Sequence, residues 1–216
     1  MTATGRQNTL ATLFGQARII PILTIERLED AVPLARALVA GGIFTLEVTL
    51  RTSVAIEAAK VIMAEVPDAV VGIGTILDAR DLARAEALGA RFGVSPGATP
   101  ELLKAAADSA LPFAPGIATP SEFMQALAHG FDVAKFFPAE QAGSIKALRA
   151  LAGPFAAARF CPTGGIGEAN AGAWLAEPNV LAVGGSWLCP SAEILAGNWP
   201  GITAMCQRAV KILKAA

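Results

Sequence analysis

The 216-residue sequence predicts an α/β protein of the (β/α)8, or TIM-barrel, class with a short helix before the first strand. Short apolar segments alternate with amphipathic segments, and the unit recurs about every 20–27 residues, close to the shortest length that such units need. This alternation is typical of parallel βαβ units, and eight units close into a barrel. No stretch of linker composition interrupts the series, so we expect a single domain over residues 1–216.

The first half of the chain supplies four of the units. A lead-in helix is predicted at residues 6–16 from its helical spacing, and residues 19–23 form the first apolar, β-branched strand. No glycine-rich turn follows that strand, which argues against an open dinucleotide-binding sheet. Glycines stop several of the helices, as they commonly do. The further strands are predicted at 45–49, 70–74 and 91–95, and the helices at 31–40, 54–65, 79–88 and 100–108.

The second half of the chain repeats the pattern four more times. Its strands are also continuous apolar runs, which is the pattern of a sheet buried on both faces. The strand at 112–115 is weak because it is short and begins and ends with proline. The other strands are predicted at 132–136, 159–162 and 180–183, and the helices at 121–128, 144–151, 169–175 and 201–213.

Composition excludes several classes of function. Hydrophobic residues make up 54% and charged residues 16% of the chain, which favours a large core over disorder. The net charge of −1 and the lack of a basic run argue against a nucleic-acid partner. No apolar run approaches the roughly 20 residues that span a bilayer, and no signal-peptide pattern is present. The scattered cysteines Cys161, Cys189 and Cys206 indicate reduced thiols, so we expect a cytoplasmic protein without a membrane partner.

Lys135 lies in the middle of the predicted strand at 132–136. The other five lysines fall in predicted helices, where a long cationic side chain reaches water. A charged residue is rarely buried unless it is paired or functional, and burial favours the neutral, nucleophilic form of an amine. Lys135 is therefore a candidate nucleophile toward a carbonyl carbon. The alternative is a lysine on an edge strand whose ammonium group extends to solvent.

The carboxyl ends of the other strands carry further polar residues, and in a barrel of this class these ends form the active site. Glu47, Thr49 and Arg51 share one face because side chains alternate along a strand. A carboxylate in an apolar strand is costly unless it is paired or functional. Arg51 and Thr75 can hold a substrate carboxylate, and Glu47 can transfer protons.

Glycine pairs follow the last two predicted strands, Gly164-Gly165 after the seventh and Gly184-Gly185 after the eighth. Glycines let backbone N–H groups approach an anion closely. Phosphate sites of barrels are commonly built from the loops after these two strands. The pairs therefore predict a phosphate cradle, although each pair alone could be a simple turn.

No metal centre or cofactor site is predicted. His129 is the only histidine, and the three cysteines are far apart in the sequence. A lone histidine cannot form a histidine-based metal cluster. His129 precedes Gly130 near a predicted helix end, where it is better explained as a charge at a helix C-terminus.

These motifs, in this order, resemble those of the metal-independent (class I) 2-keto-3-deoxy-6-phosphogluconate (KDPG) aldolases, which also act as 4-hydroxy-2-oxoglutarate (KHG) aldolases. The resemblance covers the chain from about residue 19 to residue 213. Each motif is weak alone, but the set is specific. The motifs are Glu47-Val48-Thr49-Leu50-Arg51, Gly72-Ile73-Gly74-Thr75, Val94-Ser95-Pro96-Gly97, Lys135-Phe136-Phe137-Pro138-Ala139-Glu140, Arg159-Phe160-Cys161-Pro162-Thr163-Gly164-Gly165 and Gly184-Gly185-Ser186-Trp187.

The resemblance implies a role for each residue of the site. Lys135 would form a Schiff base with the substrate, and Glu47 would shuttle protons through water. Arg51 and Thr75 would bind the pyruvyl carboxylate. Pro96 and Phe137 would line the pocket, and Thr163 would lie near the C4 hydroxyl. The phosphate would be held by Gly164, Gly165, Gly184, Gly185 and Ser186.

The resemblance also implies a reaction and a setting. The substrate would be a phosphorylated keto-deoxy sugar acid, cleaved to pyruvate and glyceraldehyde 3-phosphate as the last step of the Entner–Doudoroff pathway. The enzyme would be a cytoplasmic homotrimer. Two alternatives remain open at this point. One is cleavage of unphosphorylated KHG to pyruvate and glyoxylate as the main activity, and the other is a non-catalytic barrel that binds phosphorylated sugars.

Overall fold

The computed structural model describes residues 3–213 and contains the predicted lead-in helix and barrel. Two short helical segments are additional to the predicted elements. They are a 3-10 turn at Leu28–Asp30 and a helix at Ser191–Leu195. The helices are α1 Ala3–Ala17, α2 Ala31–Ala40, α3 Ala55–Glu65, α4 Ala79–Leu88, α5 Pro100–Asp108, α6 Pro120–Ala128, α7 Ser144–Ala152, α8 Ala171–Leu175, α9 Ser191–Leu195 and α10 Trp199–Leu213. The strands are β1 Ile19–Leu23, β2 Thr45–Thr49, β3 Val70–Gly74, β4 Gly93–Val94, β5 Phe113–Ala114, β6 Gly116–Ile117, β7 Val133–Phe136, β8 Arg159–Pro162 and β9 Val183–Gly185.

The strands form a closed ring of parallel pairs. Strands β5-β4-β3-β2-β1-β9 make one sheet and β6-β7-β8 make a second. The two sheets meet where β5 continues into β6, and isolated parallel bridges join Phe160 to Val180 and Thr163 to Gly184. All strand pairs are parallel, so every strand has its carboxyl end at the same rim. The predicted (β/α)8 class is confirmed.

The predicted fifth strand, 112–115, contains only β5, and a second short strand, β6, follows Pro115 beyond the predicted end. Proline has no N–H to donate to a ladder, so a sheet loses one hydrogen bond wherever proline stands. Pro115 still accepts a bond from the Lys135 N–H at 2.9 Å, which keeps β7 beside this segment. Strand β4 is also shorter than the predicted 91–95. Hydrogen bonds from Arg91 N to Val71 O at 2.9 Å and from Ser95 N to Ala114 O at 3.3 Å continue its pairing at both ends.

Strand β9 lies further along the chain than the predicted strand at 180–183. The predicted strand ends before Gly184, and glycine has a low preference for strands. Pairing with β1 overrides that preference, since Ile20 lies opposite Gly184 and Pro21 lies opposite Gly185. The two glycines are therefore ordered by the sheet itself. Helix α9, which follows them, was not predicted from the sequence.

Helix α1 covers the amino-terminal end of the barrel. Leu10 and Phe14 are buried in one apolar cluster with residues from the barrel interior, and Phe14 packs edge-to-face on Phe92 with ring centroids 5.3 Å apart. The Gln7 amide donates to Phe113 O at 3.0 Å and accepts from Val133 N at 2.9 Å, so it bridges two strands. The helix thus packs against the end of the barrel opposite the rim where the carboxyl ends of the strands meet.

The main hydrophobic core lies between the barrel and its helices. It is built from leucine, isoleucine, valine and alanine side chains together with aromatic residues such as Trp174, Phe123 and Phe160. Between residues 3 and 213, no helix combines the length and the apolar character needed to cross a membrane.

Candidate active site

Lys135 is buried on strand β7, near the rim formed by the carboxyl ends of the strands. Its relative exposure is 3%. The lysines on the helices, Lys60, Lys104, Lys146 and Lys211, are all exposed, while Lys214 lies outside the described residues. The prediction that Lys135 differs from the helical lysines is therefore confirmed for the described part of the chain, and the alternative of a lysine extending to solvent is wrong.

The Glu47 carboxylate is the ionic partner of Lys135. Lys135 Nζ donates to Glu47 Oε1 at 3.3 Å, and both residues are only 3% exposed. Glu47 and Lys135 are 88 positions apart in the sequence, and the curvature of the barrel brings β2 and β7 to face each other across its interior. A buried charge is stable only with such a partner, because removal from water costs several kcal/mol per ion. The pair also matches the chemistry of an amine nucleophile beside a proton-transfer group.

Gly74, at the end of β3, leaves the space that the Glu47 carboxylate occupies. A Cβ atom at this position would overlap Glu47 Oε1 and would lie 2.6 Å from its carboxyl carbon. Thr49 lies directly opposite Gly74 in the ladder between β2 and β3. Any residue larger than glycine would therefore displace the carboxylate. Gly74 was part of a motif in the sequence but was not predicted as a site residue.

Phe137 and Cys161 form part of the surroundings of the amine. Lys135 Nζ lies 5.4 Å from the centroid of the Phe137 ring, within cation–π range. Cys161 on β8 is opposite Lys135 in the ladder. Burial raises the pKa of the Cys161 thiol to about 12, so the thiol stays neutral at physiological pH. Cys161 therefore contributes a small neutral wall, as expected for a buried cysteine.

The two residues predicted to bind the carboxylate, Arg51 and Thr75, and the predicted pocket residue Pro96 lie at the same rim. Arg51 follows β2, is exposed, and makes no hydrogen bond or ion pair with any other residue in the range 3–213. Thr75 follows β3 with φ of +59°, a left-handed conformation that is rare for a β-branched residue and concentrates at functional sites. Pro96 follows β4 and is half-buried. The structure brings these three residues to the rim, and none of them is hydrogen-bonded to Lys135.

The two glycine pairs are neighbours in space. The bridge between Thr163 and Gly184 joins the turn after β8 to strand β9, which contains the second pair, and a Cβ atom on Gly184 would meet the Thr163 hydroxyl. Gly164 has φ of +103° and Gly165 has φ of +76°, which are backbone conformations that favour glycine. Among the described residues, the Gly165 and Ser186 N–H groups have no acceptor. Free N–H groups in a turn with left-handed residues form an anion-binding concavity.

No metal centre is visible in the part of the chain that the structure describes. None of its histidine, cysteine, aspartate and glutamate side chains gather in a group of three or more that could hold an ion. His129 ends helix α6, and its Nδ1 lies 2.9 Å from Gln125 O, as a residue at a helix C-terminus does.

Comparison with known proteins identifies the family. The family model "Aldolase: KDPG and KHG aldolase" matches residues 11–205 of the chain. The chain belongs to the KDPG and KHG aldolase family. The family predicted from the sequence motifs is thereby confirmed.

Individual members of the KDPG and KHG aldolase family are similar to this chain along almost its entire length. The KHG/KDPG aldolase of Escherichia coli K12 is 50% identical over 193 residues, which are 89% of this chain and 91% of that protein. The 2-dehydro-3-deoxy-phosphogluconate aldolase of Dickeya dadantii is 51% identical over 192 residues, 89% of this chain and 90% of that protein.

A solved structure of a KDPG aldolase has the same fold. The crystal structure of the Legionella pneumophila enzyme, with pyruvate captured at low pH as a covalent carbinolamine intermediate, superposes with a TM-score of 0.89. Its sequence is 47% identical, and the match covers 91% of this chain and 96% of that one. A carbinolamine is the adduct that precedes a Schiff base, so in that enzyme an amine adds to the pyruvate carbonyl.

Three further residues of this aldolase lie behind the glycine loops and were not predicted. Glu140 follows the lysine strand and accepts hydrogen bonds from Asn170 at 3.0 Å and from Trp174 at 2.9 Å. From the sequence, Glu140 was interpreted as a charge at a helix N-terminus and Trp174 as a packing residue. Helix α7 starts only at Ser144, so Glu140 lies in the preceding turn. No local pattern reveals these contacts, because Asn170 and Glu140 are 30 positions apart.

Proposed function

We propose that this chain is a class I aldolase that cleaves KDPG to pyruvate and glyceraldehyde 3-phosphate, with Lys135 as the Schiff-base residue. The buried pair of Lys135 and Glu47 at the carboxyl rim of the barrel is the observation that carries the proposal. The pair combines an amine that is shielded from water with a group that can accept and return protons.

The reaction begins with imine formation. Lys135 first passes its ammonium proton to the Glu47 carboxylate, and the neutral amine then adds to the C2 carbonyl carbon of the substrate and gives a carbinolamine. Glu47, through a water molecule, takes the proton from nitrogen and returns one to the departing hydroxyl group. Loss of water leaves a protonated imine. At 3.3 Å from the amine, the Glu47 carboxylate is within reach of each of these protons.

Bond cleavage follows from the electron demand of the imine. Glu47, through a water molecule, removes the proton from the C4 hydroxyl, the C3–C4 bond breaks, and its electron pair flows into the imine to give an enamine. Glyceraldehyde 3-phosphate leaves with the new C4 carbonyl. The Glu47 site then protonates C3, and water hydrolyses the imine to release pyruvate and the free Lys135 amine. In this scheme Thr163 acts near the C4 hydroxyl.

Substrate binding uses both ends of the molecule. The Arg51 guanidinium and Thr75 hold the pyruvyl carboxylate, and Arg51 is suited to this because its guanidinium has no partner among residues 3–213. Pro96 and Phe137 line the pocket between the two ends. The phosphate is received by the backbone of Gly164, Gly165, Gly184 and Gly185 and by Ser186. The left-handed glycines and free N–H groups support this cradle.

Borohydride trapping with pyruvate tests the proposal directly. Borohydride reduces an imine to a stable secondary amine, so mass spectrometry of the digested protein locates the reacting lysine. We expect one pyruvyl adduct, on Lys135. The Lys135→Met variant should show no adduct and no turnover. The matched variant Lys146→Met changes an exposed lysine on α7 and should keep both.

Two outcomes would contradict the assignment. One is a folded protein that forms no adduct on any lysine, which would indicate a barrel that binds phosphorylated sugars without imine chemistry. The other is a Lys135→Met variant that keeps most of its activity. Because loss of one partner from a buried ion pair costs about 3–5 kcal/mol, the fold of the variant must be checked by circular dichroism.

Cleavage of KHG to pyruvate and glyoxylate is a second candidate activity. It is favoured by the Escherichia coli relative, which is named KHG/KDPG aldolase and is 50% identical. KHG carries no phosphate, so the glycine loops would contribute nothing to its binding. We expect a higher kcat/KM for KDPG than for KHG, and a ratio below one would make KHG cleavage the main activity.

At the level of the whole molecule, we propose one domain over residues 1–216, a homotrimer, and a cytoplasmic role in the Entner–Doudoroff pathway. The family resemblance supports the trimer and the pathway. Three buried cysteines without disulfides support a reducing compartment. Native mass spectrometry should give three times the chain mass of 22.1 kDa. A monomer or dimer at micromolar concentration would refute the trimer.

A further inference from the structure

We propose that Asn170, Glu140 and Trp174 form a positioning cluster that holds the Gly164–Gly165 loop in its phosphate-binding shape. The inference rests on the proposed function, since it assigns selectivity for the phosphorylated substrate to residues behind the proposed cradle. None of the three is placed to touch the reacting carbon atoms. They act through the loop backbone, so their effect is confined to the phosphate end of the substrate.

Asn170 uses its whole amide to fix the loop. Its Nδ2 donates to Gly165 O at 3.1 Å and to Glu140 Oε1 at 3.0 Å, and its Oδ1 accepts from Gly167 N at 2.8 Å. The Gly165 carbonyl is thus turned toward Asn170. The left-handed conformation of Gly165 then leaves its N–H without an acceptor among the described residues.

Glu140 anchors Asn170 to the rest of the fold. One of its carboxylate oxygens accepts from both the Asn170 amide and the indole N–H of Trp174, which is fully buried under the loop. Its own N–H donates to Gly164 O at 3.1 Å. Its side chain also fills the space beside Gly165, where a Cβ atom would lie 2.6 Å from Glu140 Cγ. Glu140 therefore holds the loop through its side chain and through its backbone N–H.

The negative charge of the Glu140 carboxylate, which lies next to the proposed phosphate site, is stabilised by two donated hydrogen bonds. Hydrogen bonds to a charged acceptor are stronger than bonds between neutral groups. The two donors to Glu140, the Asn170 amide and the Trp174 indole, bind the same carboxylate oxygen, and the Asn170 amide also donates to Gly165 O. Replacing that amide by a carboxylate would remove both donated bonds and place two negative charges side by side.

The predicted consequence is a loss of phosphate selectivity without a loss of chemistry. Interactions with a remote part of the substrate contribute to kcat/KM only for substrates that carry that part. The matched substrate pair is KDPG and 2-keto-3-deoxygluconate, the same acid without phosphate. A cluster that only stabilised the fold would affect both substrates equally.

The experiment compares wild type, Asn170→Asp and Glu168→Gln on both substrates. Asn170→Asp keeps the shape and the acceptor for Gly167 N but removes both donors. We expect kcat/KM for KDPG to fall about tenfold or more, mainly through KM, which corresponds to about 1.4 kcal/mol or more. The value for the unphosphorylated acid should change less than about twofold. Glu168 is exposed on the same loop and, among residues 3–213, its side chain pairs only with Arg208, so Glu168→Gln should match wild type.

The outcomes separate this inference from the function on which it rests. If wild type has equal kcat/KM for both substrates, the proposal that the glycine-containing segments bind the phosphate is wrong. The positioning cluster alone would be overturned if wild type prefers KDPG but a folded Asn170→Asp variant keeps the same preference. The same conclusion would follow if the folded variant loses both activities equally. If Asn170→Asp does not fold, Glu140→Ala removes the acceptor for Asn170 and Trp174 and should give the same selective loss.

Discussion

Lys135 and Glu47 remain buried as a pair because the charge of each offsets the cost of removing the other from water. Their contact at 3.3 Å also keeps the carboxylate within reach of the protons that imine formation moves. Stability and chemistry therefore depend on the same two side chains. Substitutions that preserve shape are the ones that can distinguish these roles.

Glu47→Gln preserves shape and removes the ability to transfer protons. We expect turnover of KDPG to fall by about 10²–10⁴-fold, the usual range for loss of a general acid–base group. Steady-state and single-turnover kinetics measure the change, with Glu57→Gln on the exposed face of α3 as the control. A rate within twofold of wild type would show that another group carries the protons.

Gly74→Ala tests whether the space beside Glu47 is required. The φ of Gly74 is not positive, so the backbone accepts alanine, but the added Cβ would overlap the Glu47 carboxylate. We expect the carboxylate to shift and kcat to fall at least about tenfold, because small displacements of catalytic groups are costly. Gly97→Ala is the control, since a Cβ there meets nothing within 4 Å. Wild-type kcat in Gly74→Ala would mean that Glu47 works from another position.

At the scale of single elements, helix starts are encoded locally and can be tested one at a time. Helix α6 begins with a capping box in which Thr119 accepts from Glu122 N and Glu122 accepts from Thr119 N. Proline follows at the first helical position, where its missing N–H has no cost. The start of this helix is therefore marked by a local pattern of residues, and Glu122 also accepts from Ala118 N at 2.7 Å.

Thr119→Ala should lower the free energy of unfolding by about 1 kcal/mol, the typical value for loss of an N-cap side chain. Urea denaturation followed by circular dichroism measures the change. Ser121→Ala, an exposed residue in the same turn with no capping contact, should change it by less than about 0.5 kcal/mol. Equal effects of the two substitutions would show that the cap contributes nothing.

A strand that is ordered by pairing with its neighbour is not specified by its own residues in the way that a capped helix is. Strand β9 includes two glycines that have little intrinsic preference for a strand, and its residues are ordered by the ladder with β1. The phosphate loops begin at such positions, where β8 and β9 end. The precision of the cradle is therefore a property of the sheet and of the side chains behind it.

At the scale of the whole molecule, the three cysteines report on the integrity of the core. Burial raises the pKa of Cys161, Cys189 and Cys206 from 9.0 to about 12. The thiolate is the reactive species. At pH 8 we expect iodoacetamide to label none of the three in the native protein and all three in urea. Rapid labelling of the native protein at pH 8 would show that the core opens readily.

The raised pKa values of the buried thiols determine whether the free energy of unfolding rises or falls with pH. A thiol with a raised pKa in the folded state keeps its proton where the unfolded chain has lost it. The unfolded state then binds fewer protons, so the free energy of unfolding falls as pH rises from about 9 to about 12. Replacing Cys206 by alanine should make this fall shallower in urea titrations at pH 8 and pH 10. An unchanged slope would contradict the assignment to this thiol.

Local patterns of residues specify the alternation of strands and helices, the strand that carries Lys135, and the order of the site motifs. These features depend on local periodicity, on glycine and proline signals, and on residue types that are costly in an apolar strand. They were sufficient to predict the barrel, the family and the rim at which the site residues lie.

The contacts between these residues depend on the closed barrel. Glu47 reaches Lys135 because the barrel closes, Gly74 provides the space for its carboxylate, and Asn170 joins Glu140 to the glycine loop. Pro115 interrupts a strand, and pairing with β1 extends β9 through two glycines. Each of these contacts joins positions far apart in the chain. Such contacts follow from the register and curvature of the whole sheet, which no local pattern of residues specifies.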